Sequence, residues 1–201
     1  KNNIVLTARE LIRNSIQENI STQPILHLDK DKIENAKNKY KFDDNFKHIC
    51  LGFSASGPTK RWPIKKYIKL AEDMNKIKPC KFYLAGGKKD EELFSQFLNS
   101  SIASNCISFK NLSIMETLPI IKNCDMYIGN DTGWLHIASA LNKKCVALFM
   151  DTPVKAYGKY SKNISAIIPE GETEETTTHG TLGKDKINFE KVFNKSLDSL
   201  G

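Results

Sequence analysis

The sequence predicts an α/β fold, a parallel sheet with helices on both faces. Two observations support this prediction. From residue 48 onward, short apolar runs alternate with amphipathic stretches. The runs are nearly continuous and do not alternate with polar residues, which is typical of parallel strands buried on both faces. Because parallel strands need helical crossovers, this alternation favours one sheet covered on both sides.

Six apolar runs are the predicted strands, at residues 48–53, 80–85, 106–109, 125–129, 144–150 and 164–168. Five amphipathic stretches are the predicted helices, at residues 63–77, 90–98, 113–122, 132–141 and 189–200. In the first helix, apolar residues recur every three or four positions and lysines occupy the opposite face. Pro63 suits a first helical turn. Ser113 and Glu116 have the spacing of a capping box.

Residues 1–47 are predicted to be a helical lead-in or interdomain linker to a domain formed by residues 48–201. Helices are expected at 8–20 and 29–41, with a short extended piece at 24–28 between them. Because the lead-in cannot form a core alone, we expect it to pack beside the α/β unit or to bridge to another unit. The Thr- and Glu-rich stretch at 169–187 is predicted to be a mobile loop.

The net charge of +7 is concentrated in residues 49–150, which carry 14 Lys and Arg against 8 Asp and Glu. The densest group of positive charges is Lys60, Arg61, Lys65, Lys66 and Lys69. Such a field attracts an anionic partner, which is a nucleic acid, a membrane surface or a phosphorylated small molecule. No apolar run approaches the roughly 20 residues that a membrane span needs.

The five cysteines include no CxxC pair, and no histidine stands at zinc-site spacing. Cys50 and Cys145 lie inside apolar runs, where cysteine behaves as a small buried hydrophobe. We therefore expect reduced core thiols in a cytoplasmic protein and no metal site.

Open parallel sheets bind ligands beyond the carboxyl ends of their strands, and three such ends carry suggestive residues. The loop after the first strand offers hydroxyls at Ser54, Ser56 and Thr59. Lys60 and Arg61 follow as countercharges for a phosphate. The loop lacks the spacing of a Walker A loop. A flexible basic turn with solvated charges is an equally good explanation.

Residues 126–141 are the most informative segment, because an apolar strand ends there and a helix opens near Asp131 or Thr132. The free amides of that first turn would form an anion site. Gly133 costs about 1 kcal/mol relative to alanine in a helix, which makes sense if a ligand must approach the backbone. His136 lies one helical turn beyond Thr132 and could face the same pocket. The alternative to a ligand site is that Asp131 or Thr132 only caps the helix and that His136 only packs against its neighbours.

The third strand end carries Gly86 and Gly87, and Asp90 or Glu91 opens the helix that follows. An acidic residue at this place can accept hydrogen bonds from ribose hydroxyls. An acid that is favoured by the helix dipole explains the position equally well.

Together these segments resemble a known family. The sequence carries Lys-Arg-Trp-Pro at 60–63, Gly-Gly followed by acids at 86–91, Asn-Leu-Ser at 111–113 and Asp-Thr-Gly-Trp-Leu-His-Ile-Ala at 131–138. Their order and separation are similar to those in the carboxyl-terminal domain of the ADP-heptose:lipopolysaccharide heptosyltransferases, glycosyltransferase family 9. The resemblance covers residues 48–168, with a weaker match at 24–28.

The resemblance implies a Rossmann-like domain, the donor-binding half of a two-domain GT-B glycosyltransferase, in which residues 48–201 bind a nucleotide sugar such as ADP-heptose. In this family pattern Lys60 would neutralise the diphosphate leaving group, with Ser54 and Ser56 nearby. The other roles that the resemblance implies are contacts to the sugar and diphosphate by Asp131, Thr132 and Gly133, support of that wall by His136, a ribose contact by Asp90 and a base contact by Leu112.

Family members invert the anomeric centre and need neither a metal nor another cofactor, so the resemblance implies none here. Their general base is expected in an amino-terminal domain that this chain does not contain. We therefore expect a chain that binds nucleotide weakly and transfers nothing alone. A glycan or glycolipid acceptor of lipopolysaccharide or cell-surface glycan synthesis would bind through the missing domain. The resemblance implies a cytoplasmic enzyme whose full-length form could associate peripherally with the inner membrane.

The chain departs from the family pattern at Phe53, at Trp134 and at 150–152, where Met-Asp-Thr replaces the usual Gly-Pro-Thr. These departures affect the prediction of which sugar and acceptor are used more than the prediction of the fold. Two alternatives stay open. One is another GT-B enzyme, such as a UDP-sugar epimerase. The other is a nucleic-acid-binding module that uses the basic cluster, which we do not favour because exposed aromatic residues are not interleaved with it.

Overall fold

The computed structural model describes residues 3–201. Its sheet has six parallel strands within those residues, in the order β3-β2-β1-β4-β5-β6. The strands are β1 (Lys47–Gly52), β2 (Cys80–Leu84), β3 (Cys106–Ser108), β4 (Met126–Asn130), β5 (Lys144–Leu148) and β6 (Ile164–Ile167). The direction of strand addition reverses between β1 and β4. This is the doubly wound order, in which the crevice between the two central strands is the usual ligand site.

Helices cover both faces of the sheet. They are α1 (Ile4–Ile16), α2 (Lys30–Lys39), α3 (Ile64–Ile77), α4 (Glu91–Leu98), α5 (Ile114–Asn123), α6 (Gly133–Ala140), α7 (Val154–Tyr157) and α8 (Phe189–Leu200). One core cluster joins the sheet to α3, α4 and α8, and the other joins it to α2, α5, α6 and α7. Within β1, Ile49 and Leu51 belong to the first cluster and Cys50 to the second, and all three are fully buried. The prediction of a sheet buried on both faces is therefore confirmed.

The predicted strands and most predicted helices lie within two residues of the observed ones. The capping box of α5 is also confirmed, since the Ser113 hydroxyl accepts from the Glu116 amide and the Glu116 carboxylate accepts from the Ser113 amide. The prediction for the first helix is wrong by four residues at each end. The Asn3 side chain accepts from the amides of Val5 and Leu6, so the helix starts earlier, and Gln17 in the left-handed region ends it.

The lead-in packs against the α/β unit. Its α2 helix contacts α5, where the Asn123 side chain donates to the Ile33 carbonyl at 2.9 Å. Farther upstream, the Leu26 amide donates to the Ala140 carbonyl at the end of α6. These contacts attach residues 26–39 to the second helical layer. The division of the chain at residue 47 stays a prediction.

The segment that was predicted to be a loop contains one 3-10 turn, Lys184–Lys186. Elsewhere in this segment, Thr177 is fully buried, and its hydroxyl donates to the Thr173 carbonyl at 2.7 Å. The amides of Gly180 and Leu182 donate to the Asp151 carboxylate just beyond β5. The segment is therefore anchored at the same edge of the sheet as the predicted site.

In residues 3–201, none of the helices combines the length and the apolar character that crossing a bilayer requires.

Candidate functional site at the carboxyl ends of the central strands

A cavity of about 520 Å³ opens at the carboxyl ends of β2, β1 and β4, beside the point where the strand order reverses. Its lining is contributed by four loops and the first turns of α6, and consists of Ser54, Ala55, Ser56, Gly86, Gly87, Leu112, Ile114, Asp131, Thr132, Gly133, Trp134 and Ile137. Six of the ten predicted site residues are among them: Ser54, Ser56, Leu112, Asp131, Thr132 and Gly133. The fold thus brings together segments that lie far apart in the sequence.

Three other hollows of comparable volume lie elsewhere. One, of about 460 Å³, lies between α2 and α5, and a second, of about 730 Å³, lies beside residues 21–27 and the end of α6. A third, of about 510 Å³, lies between residues 21–24, His136 and Tyr160. All three are lined in large part by the lead-in, and none by the loops that follow β1, β2 and β4. We therefore place the candidate site at the strand-order reversal, where the polar groups converge.

The polar part of this cavity is the first turn of α6. Thr132 occupies the N-cap position, but its side chain makes no capping hydrogen bond. The backbone amides of Gly133 and Trp134 donate no hydrogen bond within residues 3–201. A Cβ built on the exposed Gly133 would meet no heavy atom within 4 Å. Free amides and the positive end of the helix dipole therefore face open space, as an anion site requires.

Asp131 and His136 form a pair beside this turn. The Asp131 carboxylate is 9% exposed and lies 3.5 Å from His136 Nε2, while His136 Nδ1 hydrogen-bonds the Tyr160 hydroxyl. His136 does not line the cavity, so it contacts the cavity wall through Asp131. His136 therefore does not face the pocket of Thr132, contrary to what its spacing suggested, and its support of the wall stays a prediction. No local sequence pattern indicated its contact with Tyr160, which lies 24 residues away in the sequence.

Asn130 is a residue that sequence reasoning missed. It is fully buried, and its side-chain oxygen accepts from the Tyr67 hydroxyl at 2.8 Å and the Trp62 amide at 3.2 Å. Its side-chain nitrogen donates to the carbonyls of Phe53 at 2.8 Å and Ser54 at 3.3 Å. Asn130 therefore attaches both ends of the β1–α3 loop to the end of β4. The sequence signal that could have identified it is a polar residue at the end of an apolar strand.

The other basic and acidic candidates lie just outside the cavity lining. Arg61 donates through Nε and Nη to the Ala55 carbonyl and pairs with Asp90 at 3.4 Å. Asp90 is 8% exposed and also accepts from the Gly87 amide at 3.0 Å. Arg61 and Asp90 therefore hold two of the lining loops in shape. Their contacts to a ligand stay predictions.

Two lysines of the basic cluster are used in packing. The Lys66 ammonium lies over the Trp62 ring and donates to the Ile187 carbonyl. Lys69 lies over the Phe189 ring and pairs with Asp73. These contacts join α3 to the α8 end of the chain, so part of the local positive charge serves the fold. Trp62 is 1% exposed and is a packing residue.

Lys60 ends the 3-10 turn Pro58–Lys60 and does not line the cavity. The preceding residue, Thr59, donates its hydroxyl to the Asp151 carboxylate at 2.7 Å. Because Asp151 follows β5, this contact places the turn over the β5 side of the crevice. The Thr59 hydroxyl, a predicted phosphate donor, is therefore engaged within the chain.

Asp151 is 8% exposed and receives hydrogen bonds from three groups, the Thr59 hydroxyl and the amides of Gly180 and Leu182. Burial alone would raise the pKa of Asp151. The three hydrogen bonds and the Lys60 ammonium outweigh burial, so the pKa lies below its ordinary value. The folded structure therefore favours the ionised carboxylate.

This lowered pKa predicts a pH dependence of stability. The contribution of Asp151 to the free energy of unfolding should be complete at neutral pH and should decline as the pH falls below about 4, the ordinary range of an aspartate. Asp151→Asn should therefore lower the free energy of unfolding, measured in urea, by about 1 to 2 kcal/mol at pH 7 and by less at pH 3. Equal losses at the two pH values would contradict the role of the charge.

The cysteine predictions for the core are confirmed. Cys50 and Cys145 are buried in the second core cluster. Burial raises the pKa of Cys145 to about 12, so its thiol is protonated at neutral pH. Among residues 3–201, no three His, Cys, Asp or Glu side chains are grouped closely enough to hold a metal ion.

The chain is similar to proteins of one family. The family profile described as glycosyltransferase family 9 (heptosyltransferase) matches residues 1–184. Lipooligosaccharide heptosyltransferase 2 of Haemophilus influenzae is 36% identical over 108 residues, which are 52% of this chain and 31% of that protein. The protein of the same name from Haemophilus ducreyi is 33% identical over 140 residues, 64% of this chain and 40% of that protein.

Solved structures agree with the fold. The ADP-heptose lps heptosyltransferase II of Escherichia coli has a TM-score of 0.72 and 24% identity, and a family 9 glycosyl transferase of Veillonella parvula has 0.74 and 18%. Each match covers 88% of this chain and 53% of the other chain, so the chain spans about half the length of these structures. The family match over residues 1–184, together with the doubly wound sheet, shows that the chain belongs to glycosyltransferase family 9 (heptosyltransferase).

Proposed function

We propose that this chain is the donor-binding half of an inverting glycosyltransferase and that its cavity holds a nucleoside diphosphate sugar, ADP-heptose or a close analogue. The observation that carries the proposal is the α6 turn, where free amides face open space at the strand-order reversal. Anions bind at such helix starts because amide dipoles and N–H groups point at them. The resemblance to the heptosyltransferases also implies that the diphosphate lies at this turn.

The cavity also has an apolar part to its lining. Leu112, Ile114, Trp134 and Ile137 line it, and Trp134 packs near the buried Phe109 ring, with 6.1 Å between ring centroids. An apolar wall beside a polar turn suits a nucleoside diphosphate, whose base is flat and whose phosphates are charged. We assign the base to the Leu112 side and the diphosphate to the α6 turn.

The proposed reaction is a single displacement at the anomeric carbon. The acceptor hydroxyl oxygen forms a bond to that carbon as the bond to the diphosphate oxygen breaks, and the electron pair leaves with ADP. The proton of the acceptor passes to a base in the amino-terminal half of the enzyme. Free amides of α6 and the Lys60 ammonium stabilise the charge that develops on the leaving group. Asp131, supported by His136, contacts the sugar.

The acceptor and the biological setting follow from the relatives. The proteins most similar to this chain include enzymes named for lipooligosaccharide and lipopolysaccharide. We propose a glycan or glycolipid acceptor of that kind, bound through the other half of the enzyme, in the cytoplasm at the inner face of the membrane. Nucleic acid is not a proposed partner, because two lysines of the basic cluster are engaged with α8.

Calorimetry with ADP tests the donor site in this chain. We expect millimolar or tighter binding of ADP, weaker binding of UDP, and a loss of about tenfold or more in ADP affinity for Lys60→Ala, since a charged hydrogen bond is removed. Gly133→Ala should weaken ADP binding without loss of stability, because its Cβ enters the open space before the amides.

Lys65→Ala is the matched control, because Lys65 is an exposed lysine of the same cluster on the outer side of α3. It should bind ADP as the parent does. Absence of ADP binding at millimolar concentration, or equal effects of the two lysine variants, would overturn the proposed site. Preference for UDP would favour the epimerase alternative.

A further inference from the structure

The turn that carries Lys60 is tied to the sheet through its neighbour. Its backbone bonds are local, from the Lys60 amide to the Gly57 carbonyl and from the Arg61 amide to the Pro58 carbonyl. A Cβ on Gly57 would meet no heavy atom within 4 Å, so the front of the turn packs against nothing. The Thr59 hydroxyl, in contrast, donates to Asp151, a residue 92 positions away. This bond fixes the turn against the end of β5.

Asp151 is itself held rigidly. One carboxylate oxygen accepts from Thr59, and the other accepts from the amides of Gly180 and Leu182 at 2.7 and 3.2 Å. His179 Nδ1 lies 3.2 Å from the Asp151 carbonyl. With both oxygens occupied and 8% exposure, this carboxylate is engaged with the protein on every side. It serves as an anchor for the turn, since both oxygens accept hydrogen bonds from the protein.

The contact to Asp151 holds the turn that carries Lys60 but does not pair with the Lys60 ammonium. The Lys60 ammonium is among the groups that lower the pKa of Asp151, so the two charges attract each other. No carboxylate of residues 3–201 lies within 4 Å of the Lys60 ammonium. The ammonium therefore stays available for an anion while the backbone beneath it is fixed.

We propose that the Thr59–Asp151 hydrogen bond positions Lys60, so that these two residues set the affinity for the diphosphate without touching it. The inference rests on the proposed function of Lys60. Holding a long, flexible lysine on a fixed turn lowers the entropy that is lost when it pairs with a phosphate. Thr59 and Asp151 are thus positioning residues.

A double-mutant cycle with ADP, measured by calorimetry on the whole 201-residue chain, tests the proposal. Thr59→Val keeps the side-chain volume and removes the hydroxyl. We expect it to weaken ADP binding about three- to tenfold, and we expect no further loss when it is added to Lys60→Ala, because the two residues act as a unit. Thr59→Ser, which keeps the hydroxyl, should restore the affinity of the parent.

Thr7→Val is the matched control, since Thr7 is an exposed threonine of α1, outside the cavity lining and outside both loops that meet Asp151. It should leave ADP affinity unchanged. Urea unfolding of each variant verifies that the chain is folded. If Thr59→Val is unfolded, Asp151→Ala, which removes the acceptor of the Thr59 hydroxyl, is a second way to break the same contact.

The outcomes separate this inference from the proposed function. A loss for Thr59→Val that is equally large in the Lys60→Ala background would show a general structural effect and overturn the positioning role. An affinity unchanged by Thr59→Val, with Lys60→Ala still weakened, would overturn the positioning role alone. If Lys60→Ala binds ADP as the parent does, the proposed role of Lys60 fails, and the positioning role fails with it.

Discussion

Gly129→Ala is expected to lower the free energy of unfolding by about 3 kcal/mol or more. A Cβ at this position would lie 2.5 Å from the Gly52 carbonyl oxygen and 2.7 Å from the Gly52 Cα. It would also lie 2.5 Å from the Tyr127 hydroxyl. Because β1 and β4 pair directly through Gly52 and Gly129, the backbone cannot yield without separating the two central strands. Overpacking of a fixed core carries a cost of this order.

Gly57→Ala is the matched control. Gly57 has an extended backbone, with φ of −155°, and open space around its Cα. This variant should unfold within about 0.5 kcal/mol of the parent. Urea unfolding at neutral pH, followed by circular dichroism, compares the three chains. A midpoint for Gly129→Ala that equals that of Gly57→Ala would show that the central strands can move apart at no cost.

Asn130→Leu is expected to be destabilising by about 3 kcal/mol or more and to abolish nucleotide binding. The substitution keeps the number of side-chain heavy atoms but removes partners from the Trp62 amide, the Tyr67 hydroxyl and the carbonyls of Phe53 and Ser54. Each buried polar group left unpaired costs about 1 to 3 kcal/mol. Because these groups frame the β1–α3 loop, its geometry at Ser54 and at the Lys60 turn should change as well.

Asn163→Leu supplies the comparison at the opposite end of the sheet. Its side chain donates to the Asn142 side chain at an exposed position, so its loss should change the free energy of unfolding by about 0.5 kcal/mol or less. Urea unfolding and ADP calorimetry measure the two effects separately. An Asn130→Leu chain that is as stable as Asn163→Leu would contradict the role of Asn130 as the buried attachment of the loop.

Much of the fold follows from local pattern. Continuous apolar runs predicted each strand, because parallel strands that are buried on both faces need no polar alternation. Ser113 and Glu116 predicted a helix start, because a capping box is satisfied within four residues. The first helix was misplaced because the Asn3 side chain caps it and starts it at Ile4, four residues before the predicted start. The short α7 helix has a single turn, too little for a periodic signal.

The site followed the sequence only in part. Loops at the ends of β1, β2 and β4 were correctly chosen, because any parallel sheet brings its carboxyl ends to one edge. The orientation of side chains within those loops was not predictable. Thr59 and Arg61 were expected to face a ligand, yet Thr59 donates to Asp151 and Arg61 to the Ala55 carbonyl.

The sequence alone settles the α/β class, the order of the elements and the segments that converge, because these depend on apolar periodicity and on residues within one turn of each other. The tertiary structure decides which polar side chains stay free. Asn130 meets the Phe53 carbonyl across 77 positions and Asp151 meets Thr59 across 92. No local pattern encodes a hydrogen bond of that range, since the partner is chosen by how the strands pair. The amides of α6 stay open because the Thr132 side chain at the N-cap makes no capping hydrogen bond.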